Sequence, residues 1–136
     1  MRRALLVLAV LMGAGGPARA EVSPADRAAI AAVIAEQLQA FRMDDAPRAF
    51  SFASPGIQGM FGTPGNFLDM VRRAYPPVHR STEGEFTTLT DEGEVVQHVE
   101  LFHDGQWHTA LYSMERTPDG WRISGCVLVR SARVGA

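Results

Sequence analysis

The spacing of hydrophobic positions divides the chain into a helical first half and an alternating, strand-like last third. Ser23 can cap a first helix, with Pro24 at the first helical position and Asp26 placed as in a capping box. Apolar residues at helical spacing then form one stripe, made of Ile30, Val33, Ile34, Leu38 and Phe41. The pattern predicts an amphipathic helix that buries one face.

Two more helices are predicted before the period changes. A short one covers roughly residues 46–53 and stops at Ser54-Pro55-Gly56, where proline and glycine interrupt the pattern. Thr63-Pro64 opens a third helix, and Pro76-Pro77 ends it. The inner side of this third helix carries Phe67, Met70, Val71 and Ala74.

Four strands are predicted after Val78, over residues 85–90, 94–103, 106–116 and 121–130. Asp104-Gly105 is a strong signal for a two-residue hairpin turn, and residues 117–120 form a second turn. The first turn predicts the pairs His103–Gln106, Leu101–His108, Val99–Ala110, Gln97–Tyr112 and Val95–Met114. The second predicts Arg116–Trp121 and then, without interruption, Met114–Ile123, Tyr112–Gly125, Ala110–Val127 and His108–Val129.

In this register one face of the sheet is apolar, and we expect the helices to cover it. The outer face pairs Glu115 with Arg122, Ser113 with Ser124, Leu111 with Cys126, and Phe102 with Trp107. The register of the first strand stays open, because Asp91-Glu92-Gly93 permits two loop lengths. Helices followed by an antiparallel sheet predict an α+β fold with the helices on one face.

Residues 1–20 are predicted to be a signal peptide, and residues 21–136 a single domain. Arg2 and Arg3 precede an apolar run too short to span a bilayer, and Ala18-Arg19-Ala20 matches a signal-peptidase pattern. Cleavage after Ala20 leaves ten basic and fifteen acidic residues, a net charge of −5 that does not suit a nucleic-acid binder. All basic residues are arginine, which is typical of a high-GC bacterial genome. We therefore expect a periplasmic or secreted protein without stable membrane insertion.

Four runs carry a family resemblance: residues 50–58, 61–64, 75–78 and 121–128. Together they resemble the bacterial domain-of-unknown-function family 4864. The resemblance implies a nuclear transport factor 2-like (cystatin-like) architecture, in which N-terminal helices pack on a strongly curved antiparallel sheet to form a cone-shaped α+β roll. That superfamily includes ketosteroid isomerase-like and polyketide cyclase-like enzymes as well as non-catalytic binding modules. The fold therefore does not supply an activity.

Gln97 and Tyr112 are the main pocket candidates, because they are the polar members of an apolar, helix-facing patch. The alternative is that they bond to each other or to a helix carbonyl and only satisfy the core. Further pocket candidates are Tyr75, His108, Phe41 and Phe67.

Three other groups of residues could carry chemistry. Asp44 and Asp45 could form a catalytic carboxylate pair, but helix capping explains them better. His103 and His108 lack a metal-binding spacing, so no metal or cofactor is expected. Cys126 is the single cysteine and is expected to be a buried, inert thiol on the outer face.

An apolar patch on the outer face is the candidate for a homodimer interface, and it consists of Phe102, Trp107, Leu111 and Leu128. The alternative is that the C-terminal tail or a loop covers it. For function, we favour an exported, non-catalytic module that binds a small apolar ligand or a protein partner in the cone. The alternatives are an isomerase-, dehydratase- or hydrolase-type enzyme that uses Tyr112, and a structural homodimer of the cell envelope.

Overall fold

A computed structural model describes residues 22–134, and the predicted signal peptide lies outside them and stays a prediction. The described helices are α1 (Pro24–Arg42), α2 (Ala46–Ser51), α3 (Pro55–Phe61), α4 (Pro64–Ala74) and α5 (Pro76–Arg80). The strands are β1 (Glu83–Asp91), β2 (Val95–His103), β3 (Gln106–Thr117) and β4 (Gly120–Arg130), which form one antiparallel sheet in that order. The predicted α+β class is confirmed. No described helix combines the length and the hydropathy needed to cross a bilayer.

The predicted capping box at the start of α1 is confirmed. Ser23 Oγ accepts from the Asp26 backbone N–H at 3.0 Å, and Asp26 Oδ2 accepts from the Ser23 backbone N–H at 2.9 Å. The Asp26 carboxylate also accepts hydrogen bonds from Arg116 at 2.9 Å and from the Trp121 indole at 3.2 Å. The Arg116 bond and the Ser23 backbone hold the pKa of Asp26 well below its ordinary value. One carboxylate therefore fixes the start of α1 over the β3–β4 hairpin.

As predicted, α2 and α4 end before Ser54-Pro55-Gly56 and Pro76-Pro77. Both segments also begin helices that the sequence analysis did not predict. Pro55 and Pro76 each stand at the beginning of a further helix, α3 and α5. Proline fits the first helical turn, because the N–H that it lacks would have no helical partner there. Ser54 Oγ caps α3 by accepting from the Ile57 backbone N–H at 3.2 Å, as Ser23 and Thr63 do for their helices.

The β2–β3 register is as predicted along its whole length. Asp104 and Gly105 both have positive φ, 53° and 77°, as an Asp-Gly hairpin turn requires. In β1, whose register was open, Asp91 pairs with Val95 and an irregularity separates Phe86 from Leu89.

The β3–β4 register begins as predicted and then shifts by one residue. Met114 pairs with Ile123, but Ser113 pairs with Gly125, so Ser124 is the extra residue of a β-bulge. Every β4 side chain beyond the bulge consequently lies on the face opposite to the one predicted. The corrected pairs are Tyr112–Cys126, Leu111–Val127, Ala110–Leu128, Thr109–Val129 and His108–Arg130.

The face exchange is visible in the burial of these side chains. Val127 and Val129, predicted to lie beneath the helices, are 57% and 42% exposed. Cys126 and Leu128, predicted to lie on the outer face, pack against the helix-covered core instead.

The segment between α2 and α3 is hydrogen-bonded to the edge of β4 just before the bulge. The Ile123 backbone donates to the Phe52 carbonyl at 2.9 Å and accepts from the Ser54 backbone N–H at 2.8 Å. These two bonds form a single parallel bridge between Ala53 and Ile123. The bridge sets where α3 begins and keeps this helix beside β4.

Residues 131–134, here called the C-terminal strap, lie against the outer face of the sheet. Ser131 Oγ donates to Glu100 at 2.6 Å, and Arg133 makes two bonds to Glu85 at 2.9 and 3.1 Å. The Arg133 guanidinium also stacks over the Trp107 ring, 3.8 Å from its centroid. The strap thereby joins the end of β4 to residues of all three other strands.

Candidate binding cavity

A cavity of about 390 Å³ lies between the helix-facing side of β3 and β4 and the helices. This volume is in the range of small-molecule sites, roughly 300–1,000 Å³. The helical and inter-helical side of its lining is formed by Gln37, Phe41, Ala53, Ile57, Met60, Phe61, Phe67, Met70, Val71, Tyr75 and Val78. The strand side is formed by Tyr112, Ile123, Ser124, Gly125, Cys126 and Val127.

Aromatic rings make up much of the helical wall. Phe67 is in the centre, with ring centroids 5.8 Å from Phe41, 5.5 Å from Phe50 and 5.7 Å from Phe61. These separations and the tilted or edge-on planes are those that aromatic side chains prefer. Residues from α1, α2, α3 and α4 thus form one interlocked apolar surface.

Tyr112 is the polar group with unmet bonding capacity in this region. The residue is only 1% exposed, and its hydroxyl has no hydrogen-bond partner among the described residues. Burial, with a smaller effect of Cys126, raises the pKa of Tyr112 well above its ordinary value. The phenol therefore stays protonated and can donate a hydrogen bond.

Cys126 lies directly across from Tyr112 on β4 and also lines the cavity. Burial raises the pKa of the Cys126 thiol to about 12. Its thiolate is therefore negligible at neutral pH, and the side chain acts as a small apolar group.

Gln37 is a lining residue that the sequence analysis did not identify. It is 3% exposed, and its Nε2 donates to the Ala49 carbonyl at 3.1 Å. Because a carbonyl can only accept, this bond fixes which end of the amide faces α2. The signal in the sequence was a glutamine between Ile34 and Phe41, inside the apolar stripe of α1.

The structure brings four of the six predicted pocket residues to the cavity: Tyr112, Tyr75, Phe41 and Phe67. Gln97 is buried elsewhere, and its Nε2 donates to the carbonyls of Thr88 and His98 at 3.3 and 3.0 Å. It thus satisfies backbone groups beside the irregular part of β1, as in the alternative that it only satisfies the core. Its partners are strand carbonyls, however, and not Tyr112 or a helix carbonyl. His108 lies near the β2–β3 turn, where burial, then His103 and Arg130, lower its pKa.

Neither aspartate of the 44–45 pair lines the cavity. Asp45 caps α2 by accepting from the Arg48 backbone N–H at 3.2 Å. Asp44 accepts from His79 Nε2 and from Arg80, both at 2.8 Å, and these bonds lower the pKa of Asp44 to about 2. Within residues 22–134, no group of three or more His, Cys, Asp and Glu side chains is arranged to hold a metal ion.

The four predicted interface residues do not form one exposed patch. Phe102 and Trp107 pack together with ring centroids 5.0 Å apart, and Trp107 is only 6% exposed because Arg133 covers it. The bulge turns Leu128 towards the helices, whereas Leu111 stays on the outer face, paired with Val127. The alternative, a covering C-terminal tail, holds for Trp107.

Comparison with known proteins places the chain in a family. The family model described as "Domain of unknown function (DUF4864)" matches residues 23–136. The chain belongs to this family. The family resemblance found in the sequence is thereby confirmed.

This DUF4864 member was also compared with curated proteins and with solved structures. No curated protein matches it. A crystal structure of a candidate dehydratase from the NTF2-like family of Streptomyces avermitilis is similar, with a TM-score of 0.49 and 14% sequence identity. The match covers 82% of this chain and 100% of that chain.

The chemistry that the cavity of this DUF4864 member offers is narrow. Among the described residues, its lining contains no Asp, Glu, His or Arg side chain. The ionisable groups present are two phenols and one thiol, and burial keeps Tyr112 and Cys126 protonated. Such a wall can exclude water and hold an apolar molecule.

Proposed function

We propose that this protein is an exported, non-catalytic module that binds a small apolar molecule in the cavity beneath its helices. The observation that carries the proposal is an apolar, aromatic-rich cavity of about 390 Å³ whose lining has no charged side chain. Transfer of apolar surface from water into such a site is favourable by about 25 cal/mol per Å². Export rests on the signal-peptide pattern of residues 1–20.

An isomerase-, dehydratase- or hydrolase-type enzyme is less well supported by the same lining. Those reactions need a base or nucleophile within reach of the substrate, usually a carboxylate or an imidazole. The carboxylate–imidazole pair of Asp44 and His79 is held together by a 2.8 Å bond outside the lining. Tyr112 by itself supplies a hydrogen-bond donor and no base.

The proposal is tested by filling the cavity. Ile57 is half-buried and lines the cavity, and α3 has no fully buried residue, so Ile57→Trp should occupy ligand space without unfolding the domain. Met43→Trp is the matched control, because Met43 is 67% exposed and lies outside the lining. With 2-ethylnaphthalene as the probe, titration followed by fluorescence should show at least tenfold weaker binding to Ile57→Trp and unchanged binding to Met43→Trp.

Two results would count against the proposal: equal binding by both variants, or no binding by the wild type. Circular dichroism of each variant checks that a loss of binding does not reflect a loss of fold.

A second candidate function is a structural homodimer formed through the outer face of the sheet. The observation that favours it is the exposure of Val127 and Val129 beside Leu111, an apolar strip outside the area covered by the C-terminal strap. This strip replaces the patch predicted from the sequence, because Leu128 packs against the core and Trp107 is covered.

A further inference from the structure

Resting on the proposed function, we infer that the ligand is an uncharged molecule with an apolar body and one hydrogen-bond acceptor that pairs with the Tyr112 hydroxyl. A ketone, ester or amide carbonyl has this chemistry.

The buried Tyr112 hydroxyl has no hydrogen-bond partner among the described residues. Buried polar side chains nearly always have a partner, and an unpaired one retains its desolvation penalty. Phenylalanine would fill the same space without that penalty, so folding alone does not explain a tyrosine at position 112. A ligand acceptor would supply the partner that the described residues lack.

The described lining of the cavity carries no charged side chain. A carboxylate or phosphate placed in the cavity would lose its hydration and meet no Arg side chain, and an ammonium group would meet no carboxylate. A neutral carbonyl avoids this penalty and can still accept from a phenol. The cavity should therefore reject fatty acids and bind their neutral counterparts.

Access to this hydroxyl requires a side chain to move. The Tyr112 hydroxyl is sealed from solvent, so the ligand must displace a neighbouring side chain to reach it. Two methionines, Met60 and Met70, line the cavity, and Met60 is 74% exposed. Methionine side chains are unbranched and rearrange readily, which suits a site that opens on binding.

The experiment compares three probes of nearly equal shape: 2-acetylnaphthalene, 2-ethylnaphthalene and 2-naphthoate. We expect the wild type to bind the ketone about 3- to 10-fold more tightly than the hydrocarbon, as one added hydrogen bond predicts. The carboxylate should bind at least about 100-fold more weakly than the ketone at pH 7. Tyr112→Phe should bind the ketone and the hydrocarbon equally.

Thermal unfolding without a probe gives an independent readout. Tyr112→Phe should unfold at or above the wild-type temperature, because the mutation removes an unpaired buried hydroxyl; unfolding below that temperature would give the hydroxyl a structural role and overturn the inference. Equal wild-type affinities for ketone and hydrocarbon, a ketone preference that survives in Tyr112→Phe, or tight binding of 2-naphthoate would also overturn it. If any of these four results is found but 2-ethylnaphthalene still binds to the wild type, the inference fails and the proposed function stands. If none of the three probes binds, the proposed function fails as well.

Discussion

The C-terminal strap should contribute measurably to stability, and Ser131→Ala isolates its central contact. Ser131 is 9% exposed, its Oγ donates to Glu100 at 2.6 Å, and the same oxygen accepts from the Arg133 backbone N–H at 2.9 Å. A hydrogen bond to a charged group contributes about 1.5–3 kcal/mol. Because Glu100 is half-buried, water can partly replace the lost donor. We therefore expect Ser131→Ala to lower the free energy of unfolding by about 1.5 kcal/mol, the lower end of this range. For a domain of this size that loss lowers Tm by roughly 5–10 °C.

Thermal unfolding followed by circular dichroism measures this loss. Ser113→Ala is the matched control, since Ser113 lies on the same outer face and its hydroxyl makes no hydrogen bond to a described residue. In a Trp121→Phe background, a red shift of Trp107 emission should accompany the change, because Arg133 is no longer held over the indole. If Ser131→Ala and Ser113→Ala melt at the same temperature and Trp107 emission is unchanged, the strap does not hold the outer face.

Two further predictions concern charge and assembly. The pKa of Asp44 is lowered from 3.8 to about 2, so its contribution to stability is complete above the unfolded pKa and is lost as pH falls towards 2. Asp44→Asn, which tolerates the φ of 53° at this position, should therefore give a shallower loss of stability between about pH 4 and 2 in urea titrations; parallel curves would contradict this. For the homodimer, we expect the wild type to sediment at twice the mass of Val129→Glu, because Val129 is 42% exposed and lies outside the cavity lining. Met43→Glu is the control for an exposed site, and equal masses would remove the proposed interface.

The elements that sequence reasoning found are those whose signals are local. Ser23, Pro24 and Asp26 are within four residues of one another, and Asp104-Gly105 fixes the β2–β3 register because both residues adopt positive φ. The missed helix α3 had the same Ser-Pro start as α1, and Ile57 and Phe61 have helical spacing. It was missed because Ser54-Pro55-Gly56 was assigned only to the end of the preceding helix, although Pro24 and Pro64 were correctly assigned to helix starts. The cavity residues Ile57, Met60 and Phe61 were missed with it.

The bulge at Ser124 could not be placed by pairing rules. Hydroxyl matched hydroxyl at Ser113 and Ser124 in the uninterrupted register, and the alternation of β4 is compatible with either face. Gly125 was a partial signal, because glycine within a strand often marks a bulge. The result of the bulge is tertiary: Cys126 and Leu128 pack against the helix-covered core, which no local pattern shows.

The same bulge explains why the cavity lies where it does. Up to Ile123, the edge of β4 is occupied by the bridge to Ala53, which starts α3 beside the sheet. Beyond Ile123 the extra residue breaks the alternation, and the lining includes every residue from Ser124 to Val127. Bulges bend strands and redirect side chains, and here the strand beyond the bulge contributes Cys126, which lies across from Tyr112, to the cavity lining. The β-bulge that shifts the register of β4 therefore also places residues of this strand in the lining of the candidate site.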